Sequence, residues 1–597
     1  MTKIKMYGGI NEIGGNKFLV ESEGTRVLLD FGRRMERANE FFSEFLQFRS
    51  KNAFRDLVRL GVLPRINGVY TPYFIDTRVL LGDPSYIKKI PFDKAQDYWY
   101  NNDIKPYDSS NPEINGVFIS HAHFDHIQDV SFLDPSIPIY AMSETKILAK
   151  AICDVSKQDV DDQFFVCKRK QSIESKGEDY RTLFPGELYY KDESGSVIIP
   201  DPKTGYKFTQ EYSPVTRNFI PDISGKIGKI SYKLIPVDHS VPGACSVLLT
   251  FNDGKTLLYT GDLRFHGSLG PSIEEYVAEV GGKIDTLLIE GTRIDSEKIL
   301  KETEIKEQIK EDIIKAVGLV LVDFNWKDVS RFRVIYEVSK ELDKTFVISP
   351  KLAYLLYEMH INHSDKYENP RKIENLKVYL KREDSLLYSK VDYDKWKMGY
   401  IHHHGKNSNM SDMNICRIAE VLDVGGKKDN EKNPLSKLDE PMCDYQEVYN
   451  LATEHLENGI RAYDIRQNSD NYVLMFSYWD SNELFDLIPI EHDIPSATYI
   501  CASTEPFNDE MHVDEDKFMK WLDHFHIAYE SEIKDKKRVF VRRHVSGHAS
   551  QKEIVELINQ LKPKKIIPIH TQNAAKFKEL FEEYEVHLPK YEEEISI

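Results

Sequence analysis

The sequence predicts an α/β protein in which a sheet-based domain is interrupted by an inserted α/β domain. Three observations point there. Up to about residue 290 the chain reads as strands separated by turn signals. From 293 onward, strands alternate with helices. After Val539 strand character returns and closes the first unit. The expected domains are 1–292, 293–543 and 544–597, the first and last belonging together.

Residues 3–7, 17–20 and 26–29 are apolar runs set apart by glycines, as in strands joined by turns. Residues 41–60 carry apolar side chains at helical spacing, which predicts a helical excursion. Residues 114–120, rich in Ile, Val and Phe, form a strand ending at His121. Another, 229–237, ends at Asp238-His239. Residues 245–251 and 255–260 flank Asn252-Asp253-Gly254, and Asp-Gly supplies the positive φ angles of a tight hairpin turn. That hairpin ends at Gly261-Asp262, and a strand over 285–289 ends at Glu290. Candidate catalytic side chains thus recur just past strand ends, on loops held by a rigid sheet.

Beyond 293, helices are expected over 296–316 and 330–342, and strands over 319–324, 345–349, 472–476 and 497–501. Strand, helix and strand in succession imply parallel pairing. The polar stretch 427–437 reads as a surface loop. A helix over 552–561, a strand over 565–568 and a helix over 574–584 complete the chain.

At 597 residues the chain exceeds what one small core organises, so two or three compact units are expected. With 41% apolar and 29% charged residues it reads as an ordinary globular chain, and no apolar run is long enough to span a membrane. The N-terminus lacks the apolar core and cleavage site of a secretory signal. Cys153, Cys167, Cys245, Cys416, Cys443 and Cys501 form no C-x-x-C pair and read as reduced thiols, so a cytoplasmic location is expected. The net charge of −18 repels polyanions at long range, so a nucleic acid must be drawn by a local basic patch and by metals.

The run His121-Ala122-His123-Phe124-Asp125-His126 carries the chemistry. Imidazole nitrogen and carboxylate oxygen are the usual ligands of zinc. On a loop after a strand, His121 and His123 can share one metal, leaving Asp125 and His126 near a second. Alone, His239 is an ordinary strand-end histidine and Asp262 an ordinary Gly-Asp turn. Beside the first cluster both gain weight, because a dinuclear site needs a third nitrogen ligand and a bridging carboxylate. Asp30, after a buried strand, is suited to holding a ligand histidine in one tautomer.

The order Asp30, His121/His123/Asp125/His126, His239 and Asp262 resembles motifs 1 to 4 of the metallo-β-lactamase fold. Glu290 in Leu288-Ile289-Glu290-Gly291-Thr292 resembles motif A of the β-CASP nucleases. His548 in Val545-Ser546-Gly547-His548-Ala549 resembles motif B, and His570 in Ile567-Pro568-Ile569-His570 resembles motif C. The segments Gly8 to Gly14 and His544 to Ala549 are similar to those of RNase J. The resemblance implies an αββα metallo-β-lactamase sandwich with an inserted β-CASP lid. It also implies two Zn2+ ions, with Mn2+ as the alternative metal. One would be held by His121, His123 and His239, the other by Asp125, His126 and His570, with Asp262 bridging. A two-zinc-activated hydroxide would be the nucleophile. Asp125, His548 and Glu290 would be catalytic, His548 protonating the leaving oxygen and Glu290 keeping it charged.

Histidine at motif C is typical of the RNA-processing members, where DNA-crosslink-repair members typically have valine. The expected substrate is therefore single-stranded RNA, cut internally, from an end, or both. A DNA nuclease of the same group and a non-catalytic RNA-binding scaffold are the alternatives. Scaffold members usually lose ligands, and here every ligand position is filled. A small-molecule hydrolase needs neither the lid nor the set Glu290, His548 and His570. Ser546 and Gly547, with the basic residues Lys536, Arg538, Arg542 and Arg543 before them, are the expected substrate contacts. His402-His403-His404 is expected to be an exposed loop. Two departures stand out. Thr571-Gln572 replaces the Gly-Glu of RNase J, and the sequence ends without that family's separate dimerising domain, which leaves the oligomeric state open. The long gaps 33–113 and 150–228 are expected to hold insertions.

Overall fold

The computed structural model describes residues 2–597 except 44, 51–52, 76–102, 157–159, 174–179, 185–186, 192–196, 199–208, 268–269, 383–458, 490–495, 507 and 535. Local sequence sets the hairpins. Glu23 and Gly24 take φ angles of 48° and 80°, and this two-residue turn joins Phe18–Ser22 to Thr25–Leu29. Gly254, at φ 82°, helps turn Cys245–Phe251 into Thr256–Tyr259, as the Asp-Gly pair predicts.

Three seven-stranded sheets organise the chain. The first runs Phe219–Ile220, Ile139–Tyr140, Gly116–Phe118, Thr25–Leu29, Phe18–Ser22, Lys3–Met6, Glu594–Ser596. The second runs Ser224–Ile227, Ile230–Pro236, Cys245–Phe251, Thr256–Tyr259, Thr286–Glu290, Lys565–Ile569, Glu585–Val586. The period-two alternation of side chains decides how they stack. Ile4, Phe18, Val20, Val27 and Leu29 of the first sheet share one core with Val247, Leu249, Leu257, Leu288 and Ile567 of the second. Intervening residues face outward. Leu19, Leu28 and Val117 join a core with Ile147, Leu148 and Ile152 of the helix Ser143–Val155. Leu248, Leu258, Leu287 and Ile566 pack with the helices Ile273–Val280 and Gln551–Leu561. The result is helix, sheet, sheet, helix. Each fully buried Leu or Ile contributes about 2 kcal/mol relative to exposure.

The third sheet runs Gly459–Arg461, Leu376–Leu380, Thr345–Ile348, Tyr472–Met475, Leu319–Asp323, Ala497–Cys501, Ala528–Tyr529, with every pair parallel. Its central strands are buried on both faces, as parallel strands require, while the edge strands Gly459–Arg461 and Ala528–Tyr529 are partly exposed. Val320, Val322, Phe346 and Ile348 face one core, and Leu319, Leu321, Val347 and Leu474 the other. The sheet docks on the sandwich where the helix Pro350–Asn362 meets Ser143–Val155, with Tyr354 Oη donating to Asp154 at 2.6 Å.

Several expectations change. The helical pattern over 41–60 resolves into Met35–Asn39 and Ala53–Arg59 with irregular backbone between them. Phe45 and Leu46 between them are 91% and 62% exposed, so apolar spacing there marked no buried helix face. The first lid helix starts at Glu302, and the last helix of the chain spans only Ala575–Leu580. The short strands Glu585–Val586 and Glu594–Ser596 follow it, too brief to leave a periodic signal. Cys153, Cys167, Cys245 and Cys501 are buried. Cys416, Cys443, the stretch 427–437 and His402-His403-His404 lie outside the described residues. No helix among the described residues is long and apolar enough to cross a membrane.

Candidate metal centre

Strand ends of both sheets converge on one cluster. His121, His239, Asp262 and His570 each follow a strand of the sandwich, namely Gly116–Phe118, Ile230–Pro236, Thr256–Tyr259 and Lys565–Ile569. Asp125 and His126 sit in a single turn of helix, Phe124–Ile127.

Two cluster residues depart from ordinary backbone geometry. Asp30 has φ 55° and His570 has φ 51°, the left-handed region that non-glycine residues seldom adopt. Hydrogen bonds hold both: Asp30 N donates to Phe118 O and His570 N to Gly9 O, each at 2.8 Å. The turn at Asp30 aims its carboxylate back into the cluster. Oδ1 accepts from Ser120 N at 2.7 Å, and Oδ2 accepts from Ser120 Oγ at 2.6 Å, His126 Nδ1 at 2.7 Å and the Tyr259 hydroxyl. With its Nδ1 so engaged, His126 presents Nε2 to the cluster.

The other histidines are oriented the same way. His239 Nδ1 donates to Gly547 O at 2.6 Å, leaving Nε2 free to face inward. Thr292 Oγ1 lies 2.8 Å from His570 Nδ1 and donates to His570 O at 3.2 Å. His123 Nδ1 stands 3.0 Å from His121 Nε2 and 3.1 Å from His239 Nε2. Burial, followed by mutual repulsion, pushes His121 well below its usual range, and burial brings His239 down to about 4. They are therefore neutral, with lone pairs directed at one point.

Asp262 is the hub. Its Oδ2 lies 3.2 Å from His126 Nε2, 3.5 Å from His570 Nε2, 3.7 Å from His121 Nε2 and 3.9 Å from His239 Nε2. Asp125 Oδ2 lies 3.3 Å from His570 Nε2 and 3.6 Å from His126 Nε2. Three groups could hold a metal ion: His121, His123, His239 and Asp262; Asp125, His126 and His570; and Asp262, Glu290, His548 and His570. Two buried atoms, His126 Nε2 and Asp262 Oδ1, make no hydrogen bond. A buried polar atom without a partner is unfavourable by about 1–3 kcal/mol, and a cation at the hub would satisfy both. Burial opposes charge on His126, yet Asp262 and Asp125 outweigh it and raise its proton affinity, so the local potential favours positive charge.

Beside the hub stands a second pair. His548 Nδ1 lies 3.1 Å from Glu290 Oε2 and 3.8 Å from Asp262 Oδ2. Burial opposes its charge, but Glu290 overrides burial and lifts His548 to about 9, while His548 in turn lowers Glu290.

The structure uses the expected substrate contacts differently. Gly547 O holds His239, and Ser546 O accepts from Arg264 Nη1 at 3.2 Å and from His266 Nε2 at 3.1 Å. Arg542 pairs with Glu515 at 2.5 Å, Arg543 with Asp312 at 2.6 Å and Arg538 with Asp523 at 3.3 Å. Lys536 is an exposed turn residue at φ 66°. None of the four has an ion pair with a cluster residue among the described residues.

Sequence reasoning missed Ser120, Tyr259, Thr292 and Lys327. The first three are neutral groups that orient ligands, and no spacing marks such a role. Lys327 comes from the third sheet. Its Nζ lies 4.5 Å from the centre of the Phe124 ring, and burial lowers its pKa to about 8 against the pull of Asp125. The glycine-rich segment near the N-terminus also gains a reason. A Cβ at Gly14, φ 77°, would lie 2.3 Å from Asp125 Oδ2, and one at Gly32 would lie 1.7 Å from Asp125 O. Of the two departures from RNase J, Gln572 donates to Glu36 Oε1 at 2.6 Å and Thr571 Oγ1 accepts from Asn573 N at 3.0 Å.

A helix-sheet-sheet-helix sandwich with such a cluster at its strand ends defines the metallo-β-lactamase fold. Residues 536–589 match the family described as the Zn-dependent metallo-hydrolase RNA specificity domain. The chain is 22% identical over 356 residues to Ribonuclease J of Pyrococcus abyssi, covering 58% of each protein. It is 24% identical over 291 residues to Probable RNase MJ4 of Methanocaldococcus jannaschii, covering 47% of this chain and 58% of that relative. In each case the match spans less than two thirds of the relative's length. A crystal structure of a protein of unknown function from Enterococcus faecalis V583 shares the fold with a TM-score of 0.58 at 19% identity, over 100% of this chain and 99% of the other. The matched domain and these relatives make the chain similar to RNase J-like proteins.

Proposed function

We propose that this protein is a metal-dependent ribonuclease that hydrolyses phosphodiester bonds of single-stranded RNA. The observation that carries the reading is the placement of Asp262 between two ligand sets, with His126 Nε2 and Asp262 Oδ1 buried and unsatisfied. His121, His123 and His239 would hold one zinc, Asp125, His126 and His570 the second, and Asp262 would bridge them. Two metals there would supply an activated water and neutralise charge on the phosphodiester.

The chain's own residues supply the rest. His548, held protonated by Glu290, gives its proton to the leaving oxygen. Asp30 and Thr292 fix the His126 and His570 rings, so the ligand geometry is preorganised. The described part of 293–543, built on the third sheet, acts as a lid that confines an unpaired strand against the sandwich. The match of 536–589 to an RNA specificity domain, together with histidine at position 570, supports RNA over DNA.

The test is metal analysis of the purified chain combined with digestion of end-labelled RNA and a DNA strand of matched sequence. About two zinc ions per chain and RNA-selective cleavage are expected, and the labels report internal or terminal cutting. Cleavage of DNA alone would overturn the substrate assignment. Tight RNA binding without turnover in metal-replete protein would overturn the enzyme assignment.

A further inference from the structure

Basic side chains at the seam between the third sheet and the sandwich are mostly neutralised. Arg264 pairs with Asp238 at 3.1 Å, Arg331 with Glu302 at 3.0 Å, Arg542 with Glu515 at 2.5 Å and Arg543 with Asp312 at 2.6 Å. Lys327 differs. Its residue is 9% exposed, yet no carboxylate among the described residues forms an ion pair with it. Its contact is the face of Phe124, the residue between His123 and Asp125, at 4.5 Å from the ring centre. A cation–π contact returns less than an ammonium group gives up on leaving water.

The loop that presents Lys327 is not slack. It follows the strand Leu319–Asp323, and Asn325 Oδ1 accepts from Lys327 N at 3.0 Å. Asp328 Oδ1 accepts from Arg331 N at 2.9 Å and starts the helix Val329–Glu341. Two side chains thus pin the backbone on either side of an ammonium aimed at the rim of the ligand cluster. Asp125 attracts this ammonium, but among the described residues no anion pairs with it directly.

We propose that Lys327 is a phosphate contact contributed by the lid, its ammonium donating to a non-bridging oxygen of the RNA backbone phosphate nearest the ligand cluster. The inference rests on the ribonuclease reading and adds to it a residue from outside the motifs. Lys327 then couples substrate binding to lid position, because the strand touches both regions only when the lid sits as described.

The test compares the full-length chain with Lys327→Met and Lys327→Arg. Binding of a fluorescent single-stranded RNA is measured on chelated protein across a KCl series, and turnover is measured on metal-loaded protein. For Lys327→Met, affinity should fall about tenfold. The slope of log affinity against log salt should shrink by about 0.7, the share of one phosphate contact in single strands. KM should rise while kcat changes less than about threefold, and Lys327→Arg should keep the wild-type slope. An unchanged affinity and slope in Lys327→Met would overturn the contact. So would equal losses in both variants accompanied by a lower melting temperature, which would make Lys327 a packing residue. If wild-type protein neither binds nor cleaves RNA, the ribonuclease reading fails instead, and the wild-type control separates that failure from this one.

Discussion

Strands of the sandwich and strands of the third sheet end on different kinds of residue. In the sandwich they end at or just before His121, His239, Asp262, Glu290 and His570, whose polar atoms face one another. In the third sheet they end on groups that serve the fold. Ser349 accepts from Leu352 N to cap a helix, and Asp323 accepts from Tyr499 Oη and Ser503 Oγ at 3.1 Å each. The parallel sheet buries both faces and satisfies its polar ends internally. The sandwich leaves a ring of strand ends open at one rim, and left-handed backbone at Asp30 and His570 turns side chains into it. The candidate ligands are therefore concentrated in one region, and the other places Lys327 beside them.

That division can be broken or sharpened by substitution, and the largest effect belongs to the hub. Asp262→Ala should abolish RNA hydrolysis and lower bound metal, while circular dichroism keeps the wild-type form. Retained activity would refute the hub. His548→Ala should lower kcat by about 10²–10⁴-fold with metal content unchanged, which separates proton delivery from metal holding. Thr292→Val removes the partner of His570 Nδ1 and should weaken metal affinity or activity by about 10–100-fold, read by chelator competition. A normal competition curve would mean that packing alone orients His570.

The smallest expected effect lies in the third sheet and concerns stability. Burial raises Asp323 to about 6, above its ordinary 3.8. Between those values the folded chain binds a proton that the unfolded chain releases, so stability falls as pH rises through that window. Asp323→Asn should remove this component. Melting temperatures of variant and wild type, compared below and above the window, should diverge by a few degrees as pH rises, with the variant gaining. Equal pH profiles would show that Asp323 stays charged in the fold.

Much of the site was legible because its ligands are chemically rare groups close together in sequence. His121 to His126 stood out alone, and His239, Asp262, Glu290, His548 and His570 acquired meaning from their order after strands. Strand positions were also legible where alternation or an Asp-Gly turn marked them, as in the hairpin around Gly254. The partners of the basic residues near 536–543 were not legible, because charge in a sequence carries no record of its partner, and three of the four lie in ion pairs.

By itself the sequence determined the α/β class, the ligand types and the interruption of one sheet-based unit by another. Those features rest on local periodicity and on the few side chains able to bind metal. Tertiary structure alone decided that Tyr259 and Ser120 would hold Asp30, that Thr292 would orient His570, and that Lys327 would reach Phe124 from another sheet. Those contacts join residues far apart in the chain, between groups too common for composition or spacing to single out, and only packing of the three sheets brings them together.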